Sequence, residues 1–451
     1  NMQSIISRNG LETPEPVKAE VKGSVPSWLQ GTLLRNGPGL FSVGNSEYNH
    51  WFDGLSLIHS FTFSGGEVTY RSKYLKSETY KRNIKADRIV VSEFGTMVYP
   101  DPCKNIFARA MTHFRNIIPD FTDNNLINII RYGKDYYASS EVNYINQVDP
   151  NSLETVSREN YRNHIAVNLA TAHPHYDREG NTYNMGTAII GLGRPKYVIF
   201  KVPGNASGMS LKLKATSFKY YTDALVVFHH INAYEEDGHV VFDIITYKDS
   251  NLYNMFYLHN MTDETDNFIN ANKEFSPPFC QRFILPLSIQ KDSPKGTNLV
   301  TLTDATAQAV MQDDGSIYCK PDTVFKGMEL PGINYNFNAR KYRYFYGSRL
   351  EWSPHPNKIA KVDIVTRTHI EWQQENCYPS EPVFVGSPGA VEEDDGVILS
   401  SVVSSDPNVS PFLLVLNART FEEIARASVP VPVHMDLHGM FIPSTGSQES
   451  S

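Results

Sequence analysis

A recurring turn signal constrains the fold of this chain more than any other feature. Asp-Gly or Gly-Gly stands between apolar, alternating runs at Gly65-Gly66, Asp237-Gly238, Asp314-Gly315 and Asp395-Gly396. Such dipeptides between alternating runs are the strongest short-range signals for β-hairpins. Because these hairpins are spread over the whole chain, with few helical stretches between them, the sequence predicts a large antiparallel, all-β fold with short helices.

The length of the chain narrows this class. A β-propeller lets a chain of 451 residues bury both faces of its sheets through radial repetition. The irregular spacing of the turns does not define a number of blades, and a two-domain β-sandwich is the alternative. No low-complexity linker divides the chain, so we expect a single domain over residues 1–451, with a tail of disordered composition at 444–451.

Charge and cysteine content exclude several classes of protein. The net charge is -8 and the basic residues are scattered, which argues against nucleic-acid binding. The four cysteines form no Cys-x-x-Cys pair, so thiolate zinc and iron–sulfur sites are not expected, and reduced thiols in the cytosol are favoured. No run approaches the roughly 18 apolar residues of a spanning helix. We expect a cytoplasmic chain, soluble or peripheral on membranes, without an obligate protein partner.

One segment, from Cys103 to Ile118, departs from the β pattern. Its apolar and small residues recur at the spacing of one helix face, and its charged residues are all basic. Either the helix packs on the domain surface, or it lies as a basic amphipathic helix in a membrane interface. On the second interpretation the membrane contacts are Cys103, Ile106, Phe107, Met111 and Phe114.

Three histidines in separate motifs are the candidate site. His173 stands in Thr-Ala-His-Pro-His, His229 in Val-Phe-His-His-Ile-Asn, and His438 in Met-Asp-Leu-His-Gly. His173 and His229 each follow an apolar run, so we expect both at strand ends, where one mouth of a propeller would bring them together. Neutral imidazoles from distant points of a chain can converge on one transition metal, although an isolated histidine is more often structural.

The chain also resembles a known family in longer motifs. They include Leu29-Gln-Gly-Thr-Leu-Leu-Arg-Asn-Gly-Pro-Gly39, Trp51-Phe-Asp-Gly54, Pro100-Asp-Pro-Cys-Lys-Asn105, Tyr378-Pro-Ser-Glu-Pro382 and Glu392-Glu-Asp-Asp-Gly-Val397. Together with the histidine motifs they resemble the carotenoid cleavage oxygenase family over nearly the whole chain. Within that family they are most similar to its vertebrate central-cleavage branch.

The resemblance implies a seven-bladed β-propeller with ferrous iron, Fe(2+), on its axis, held by four histidines. The family's ligand positions match His173, His229 and His438, rather than the neighbouring His175 and His230. Carboxylates that accept hydrogen bonds from ligand imidazoles fix their tautomers. The positions that match these carboxylates are Glu141, Glu329 and Glu381.

The chain departs from the family at one point. The resemblance implies a further ligand histidine, in a Tyr-Tyr-His-Ser-Phe-Gly type motif, yet no histidine lies between His175 and His229. The segment between residues 203 and 220 is short by about one blade of a propeller. We therefore expect an incomplete blade there, a site of three imidazoles, and a Glu141 without its imidazole partner.

The function implied by the resemblance is an iron(II)-dependent dioxygenase that cleaves the central 15,15′ double bond of β-carotene with O2 to give retinal. Its partners would be a carotenoid and O2. Two alternatives remain open at this point. One is an inactive isoform or carotenoid-binding protein that lacks one iron ligand. The other is a different reaction on the same scaffold, either eccentric carotenoid cleavage or retinoid isomerisation.

Overall fold

The structure is a computed structural model that describes residues 3–98, 122–188, 196–205, 210–211, 218–261, 276–350 and 357–445. The structure is mostly strands (48%) with few helices (7%), which confirms the all-β class. Seven sheets of three or more strands, with one two-stranded ribbon, are found in the described ranges. They build a seven-bladed β-propeller.

The first half of the chain contributes seventeen strands. In chain order they are β1 Thr13–Lys18, β2 Glu20–Gly23, β3 Gly31–Asn36, β4 Pro38–Leu40, β5 Ser42–Val43, β6 Ser46–Glu47, β7 Leu55–Ser64, β8 Glu67–Tyr74, β9 Asn128–Tyr132, β10 Asp135–Ser139, β11 Tyr144–Val148, β12 Thr155–Asn160, β13 Leu169–Ala170, β14 His175–Tyr176, β15 Thr182–Ala188, β16 Lys196–Val202 and β17 Ser210–Leu211.

The second half continues the same pattern of short antiparallel strands. They are β18 Tyr220–Tyr221, β19 Val226–Glu236, β20 His239–Tyr247, β21 Phe279–Pro286, β22 Gln308–Met311, β23 Ile317–Lys320, β24 Asp322–Lys326, β25 Met328–Gly332, β26 Tyr344–Arg349, β27 Lys358–Asp363, β28 Thr368–Gln373, β29 Cys377–Pro379, β30 Val383–Gly386, β31 Gly396–Ser404, β32 Phe412–Asn417, β33 Glu423–Ser428 and β34 His438–Pro443.

Helices are short in the part of the chain that the structure describes. They are α1 Gln3–Ile6, α2 Glu78–Ala86, α3 Leu252–Met255 and α4 Leu258–Met261. The longest, α2, begins where the Ser77 side chain accepts a hydrogen bond from the backbone of Tyr80, and it ends at Asp87, which has a left-handed φ of 49°. An N-cap oxygen and a left-handed C-cap satisfy the free backbone groups at the two ends of a helix.

Hairpins form at three of the four turn signals, including Asp314-Gly315 between β22 and β23, whereas Gly396 is already the first residue of β31. Strands β7 and β8 pair antiparallel across Gly65-Gly66, and β19 pairs with β20 across Asp237-Gly238. All four turn residues have positive φ, from 45° to 79°. Two-residue hairpin turns of type I′ need positive φ at both central positions, which explains why glycine and aspartate stand there.

The two ends of the chain close the ring of sheets. Strand β34 pairs with β3, with His438 opposite Asn36, in the sheet of order β1-β8-β7-β3-β34. Strand β2 pairs with β33, so the N-terminal segment also completes the last sheet. Because residues far apart in sequence share these sheets, the position of His438 depends on the closed ring.

Apolar residues of neighbouring sheets form the core. Leu33 and Phe61 of the first sheet pack in one buried cluster with Leu413 and Val415 of the last sheet. Each such side chain contributes roughly 1.5–3 kcal/mol through removal from water. This packing makes the propeller a rigid frame for the groups at its centre.

The sheet that follows the short segment is reduced. Strand β18 has two residues, and β18-β23-β22 is the smallest of the seven sheets in the described ranges. One face of the β15–β16 hairpin is open: Tyr197 is 72% and Ile199 51% exposed, with Met185 paired opposite Ile199.

Two of the sequence predictions lie outside the described residues. The segment from Cys103 to Ile118 is one of them, so its membrane contacts stay a prediction. The tail beyond residue 445 is the other. Within the described ranges, no helix has the length and apolar character needed to cross a membrane.

Candidate metal centre

The three candidate histidines come from three different sheets. His173 lies in the loop between β13 and β14, and His438 is the first residue of β34. His229 lies inside β19, so the expectation that it directly follows a strand is wrong. The apolar run before His229 forms only the first part of that strand. The β19–β20 register shifts on both sides of His230. Such irregularities re-aim side chains, and here they accompany the turn of His229 towards the centre.

These three imidazoles meet at one point. Their ligand nitrogens all lie within 4.8 Å of one another. The Nε2 atoms of His229 and His438 are 3.1 Å apart. Two imidazole nitrogens bound side by side to one first-row transition metal, at about 2.0–2.1 Å, would be separated by roughly 3 Å. The donor set therefore fits one transition metal ion.

The neighbouring histidines of the same motifs do not join this cluster. His175 and His230 face each other with ring centroids 4.5 Å apart. Burial lowers the pKa of His230 to about 4, and the nearby His175 and His229 act in the same direction. The structure thus separates a metal-type triad from a second imidazole pair beside it.

Two glutamates hold two of the three imidazoles in a metal-binding tautomer. His229 donates from Nδ1 to Glu329 Oε2 at 2.6 Å, and His438 donates from Nδ1 to Glu381 Oε2 at 2.5 Å. An imidazole whose Nδ1–H is used in this way presents the lone pair of Nε2 to a metal. Both Nε2 atoms accordingly point to the shared centre.

Each of these carboxylates is fixed in turn. Glu329 accepts from the Tyr247 hydroxyl and from the backbone N–H of Leu330, both at 2.7 Å. Burial alone would raise the pKa of Glu329, but His229 and these hydrogen bonds hold it below the ordinary value. The carboxylate is therefore ionised and ready to orient His229.

The residue that supports Glu381 was not predicted from the sequence. Arg35 donates from Nη1 to Glu381 at 2.9 Å and from Nη2 to Asp436 at 2.6 Å, and it is 1% exposed. Asp436 also accepts from His59 Nε2 at 2.7 Å. Burial acts to raise the pKa of Asp436, yet Arg35 and His59 hold it well below its usual range. The sequence signal for this role of Arg35 was a charged residue within the apolar run that forms β3.

The third predicted glutamate has no such arrangement. Glu141 lies in the loop between β10 and β11 and is exposed. Neighbouring protein atoms partly desolvate its carboxylate and raise its pKa, and the charges of His229 and His438 oppose that rise. Among the described residues its carboxylate has no hydrogen-bond partner. The three predicted glutamates therefore all lie near the triad, but only two of them bind an imidazole.

The triad lies between two cavities of different character. An apolar cavity of about 110 Å³ reaches His229 and Glu329 and is walled by aromatic and aliphatic side chains. Its wall includes Trp51, Phe52, Phe228, Leu252, Phe256 and Met261. A larger, more polar opening is lined by His173, His175, His230 and His438. A mostly apolar cavity with a few polar groups is the usual form of a small-molecule site.

Comparison with known proteins places this centre in a family. A model of the retinal pigment epithelial membrane protein family matches residues 6–221 and 208–443. The chain belongs to this family, the carotenoid cleavage oxygenases. The predicted resemblance is thereby confirmed. The two matched segments meet at residues 208–221, where the chain is short.

Curated relatives match over nearly their full length. The β,β-carotene 15,15′-dioxygenase of Mus musculus is 47% identical over 522 positions, which cover 98% of this chain and 92% of the relative. That of Gallus gallus is 49% identical, with 98% of each chain covered. The mitochondrial carotenoid-cleaving dioxygenase of Homo sapiens is 38% identical, over 96% of this chain and 89% of the relative. An alignment of 522 positions exceeds the 451 residues present, which agrees with an internal gap.

Solved structures agree on the fold. The cobalt-substituted Synechocystis apocarotenoid oxygenase aligns with a TM-score of 0.70 at 20% identity, over 98% of both chains. A chimera of that oxygenase with the retinal pigment epithelial protein gives a TM-score of 0.68 at 20% identity, again over 98% of both. These likenesses support the propeller over the alternative of a two-domain β-sandwich, which is wrong.

Proposed function

We propose that this chain is an iron(II)-dependent dioxygenase that cleaves the central 15,15′ double bond of β-carotene with O2 to give two molecules of retinal. The observation that carries the proposal is the convergence of His173, His229 and His438, with His229 in the wall of an apolar cavity. Identities of 47% and 49% to enzymes named β,β-carotene 15,15′-dioxygenase support the choice of substrate and bond.

The residues of the chain would bind and orient the carotenoid. A polyene has no polar group along its length, so an aromatic and aliphatic wall such as Trp51, Phe52 and Phe256 would hold it by burial of apolar surface. A fixed pose would keep one double bond beside the triad, which lowers the entropic cost of the reaction. The same wall would exclude water from the reacting bond.

The triad would hold the metal through neutral imidazoles. Iron(II), when bound there, supplies the activation of O2. Glu329 and Glu381 would keep His229 and His438 in the tautomer that the metal requires. Both oxygen atoms of O2 end in the two aldehydes, so no reductant is needed and the reaction balances.

A second candidate function rests on a specific observation. The site offers three imidazoles, and Glu141 lacks an imidazole partner. A protein of this kind could bind a carotenoid in the apolar cavity without cleaving it. Eccentric cleavage has weaker support, because the mitochondrial carotenoid-cleaving dioxygenase of Homo sapiens is 38% identical, below the central-cleavage enzymes.

Product analysis tests these functions. The purified chain is loaded anaerobically with Fe(II), given β-carotene in detergent micelles and exposed to O2, and the products are separated by liquid chromatography. Retinal as the sole product supports central cleavage. Retained β-carotene without product supports the binding protein, and an apocarotenal or a retinol isomer supports a different reaction. His438→Ala should abolish retinal formation, whereas His164→Ala, at an exposed histidine of the chain, should not.

The basic helix predicted from the sequence completes the proposal. We infer that residues 103–118 place the cytoplasmic enzyme against membranes that store its substrate, through Cys103, Ile106, Phe107, Met111 and Phe114. Cosedimentation with vesicles that contain anionic lipid tests this inference. The triple variant Lys104→Gln, Arg109→Gln, Arg115→Gln should bind less, and unchanged binding would exclude the electrostatic contribution. The control is the triple variant Lys18→Gln, Lys22→Gln, Lys81→Gln, which removes the same number of positive charges elsewhere in the chain.

A further inference from the structure

Two buried polar atoms in the wall of the apolar cavity have no hydrogen-bond partner among the described residues. They are the Oγ of Ser348 and the Nδ1 of His434, and these residues are 0% and 6% exposed. Buried polar atoms are nearly always hydrogen-bonded in folded proteins, because an unpaired one loses its hydration without compensation. A hydrocarbon such as β-carotene offers no polar group, so the proposed substrate leaves both atoms unexplained.

The tautomer of His434 is set by the backbone. Its Nε2 lies 2.9 Å from the carbonyl oxygen of Leu57, which can only accept a hydrogen bond, so Nε2 carries the proton. Burial lowers the pKa of His434 to about 3, so the ring is neutral. Nδ1 therefore presents a lone pair and can only accept. The ring of His59, with its centroid 4.5 Å away, packs against His434 and restrains its orientation.

Ser348 is placed in the cavity wall by its strand. It lies in β26 with Glu329 opposite it in β25, and both residues line the cavity. The hydroxyl of Ser348 can donate as well as accept a hydrogen bond, unlike the Nδ1 of His434. Other polar groups of the wall are already paired, since Tyr247 donates to Glu329 Oε1 at 2.7 Å. Ser348 and His434 therefore remain available to a ligand.

The size of the cavity fits one end of a polyene. Its volume is about 110 Å³. An apolar cavity of about 150 Å³ holds a benzene molecule, so a space of this order holds a ring or a chain end. The end of a polyene is also where a hydroxyl group can be attached without interruption of the conjugated chain.

We propose that Ser348 and His434 make this cavity a binding subsite for the hydroxyl-bearing end of an apolar ligand. The O–H of the ligand donates to Nδ1 of His434, and the Ser348 hydroxyl pairs with the ligand oxygen, directly or through one water. Two sources share this chemistry, namely a carotenoid with a ring hydroxyl and retinol, the alcohol that corresponds to retinal. The inference deepens the proposed function, on whose cavity it rests, but its two side chains lie outside the triad.

Binding to the purified full chain, kept anaerobic so that no substrate is cleaved, tests the inference. All-trans-retinol is compared with its methyl ether, which has the same polyene but no O–H to donate. Quenching of tryptophan fluorescence measures both affinities, since Trp51 lies in the cavity wall. We expect retinol to bind about tenfold more tightly, in line with the usual cost of one unpaired buried acceptor.

Two variants assign this preference to the proposed residues. His434→Phe keeps the bulk of a ring but removes Nδ1, and Ser348→Ala removes only Oγ; each should reduce the preference for retinol. Ser139→Ala is the matched control and should keep it. The Oγ of Ser139 is likewise buried without a partner among the described residues, but Ser139 does not line this cavity. His434→Phe also breaks the bond to Leu57, so Ser348→Ala decides alone if that variant does not fold.

A second pair of ligands identifies the source of the hydroxyl. β-Carotene with one ring hydroxyl is compared with β-carotene itself in the same detergent micelles. A preference for the hydroxyl in either pair, reduced in Ser348→Ala, supports the subsite and names its source. If neither pair shows it, or if it is unchanged in both variants, the two atoms bind water only and the inference is wrong. Cleavage of β-carotene without the preference leaves the proposed function intact, whereas the preference without cleavage leaves the subsite alone.

Discussion

Arg35 and Glu381 form an ion pair of 2.9 Å that links strand β3 to the carboxylate behind His438. The same guanidinium reaches Asp436, two residues before that histidine. Strand β3 therefore positions the last imidazole of the triad in two ways, through its backbone pairing with β34 and through this charged contact. The metal centre and the closure of the ring are parts of one structure.

Removal of the Arg35 guanidinium should destabilise the fold strongly. In Arg35→Met the carboxylates of Glu381 and Asp436 stay buried without their cation, which typically costs about 3–5 kcal/mol. We expect a loss of that order in the free energy of unfolding, measured by urea denaturation. Arg343→Met, which breaks an exposed pair with Asp363, should change it far less. Equal losses in the two variants would contradict the buried network.

Loss of the carboxylate behind an imidazole should weaken metal binding. In Glu329→Gln the amide no longer supplies the charge that orients His229, and such changes typically lower metal affinity about 10–100-fold. Titration with Co(II) measures the change. Tyr247→Phe removes only one of the hydrogen bonds to Glu329 and should have a smaller effect. A larger effect of Tyr247→Phe would show that the hydroxyl, rather than the charge, positions the site.

Stability should depend on pH through Glu93. Burial raises its pKa well above the ordinary value, while Thr122 donates a hydrogen bond to it at 2.6 Å. Because the pKa of Glu93 is raised in the folded state, its contribution to the free energy of unfolding is fully present below the unfolded pKa. That contribution is lost as pH rises through the folded pKa. Glu93→Gln keeps an acceptor for Thr122 and cannot ionise.

We therefore expect Glu93→Gln to melt at a higher temperature than the parent chain at pH 8, with a smaller difference at pH 5. Thermal unfolding followed by circular dichroism at both values measures this. The exposed control Glu67→Gln should show no such difference between the two values of pH. A Glu93→Gln variant that is less stable than the parent chain at pH 8 would contradict a raised pKa of Glu93.

Strand β16 should tolerate changes on one face only. Ile199 is 51% exposed, whereas Phe200 is 1% exposed within the cluster shared with β9 and β11. Phe200→Ala should cost about 3–5 kcal/mol of unfolding free energy through the cavity it leaves. Ile199→Thr should cost less than about 0.5 kcal/mol, since surface changes rarely exceed that. Urea denaturation compares the two, and a large loss for Ile199→Thr would mean that another part of the chain covers this face.

The hairpins were predictable because their cause is local. At Gly65-Gly66 and Asp237-Gly238 two adjacent residues with positive φ suffice to reverse the chain, and the alternating runs beside them need no distant partner. His229 was placed wrongly, after a strand instead of within one, because a bulge in the β19–β20 ladder depends on the partner strand. Arg35 was missed because the two carboxylates that it binds lie hundreds of residues away.

The amino-acid sequence by itself determined the all-β class, the positions of the turns, the candidate triad and the absence of a histidine between His175 and His229. These depend on residue types and on interactions between neighbours in the chain. Only the tertiary structure decided that the nitrogens of His173, His229 and His438 lie within 4.8 Å, that Glu329 and Glu381 bind two of them, and that Glu141 binds none. The reason is that closure of the ring through β3 and β34 sets these distances, and closure is a property of the whole packed chain.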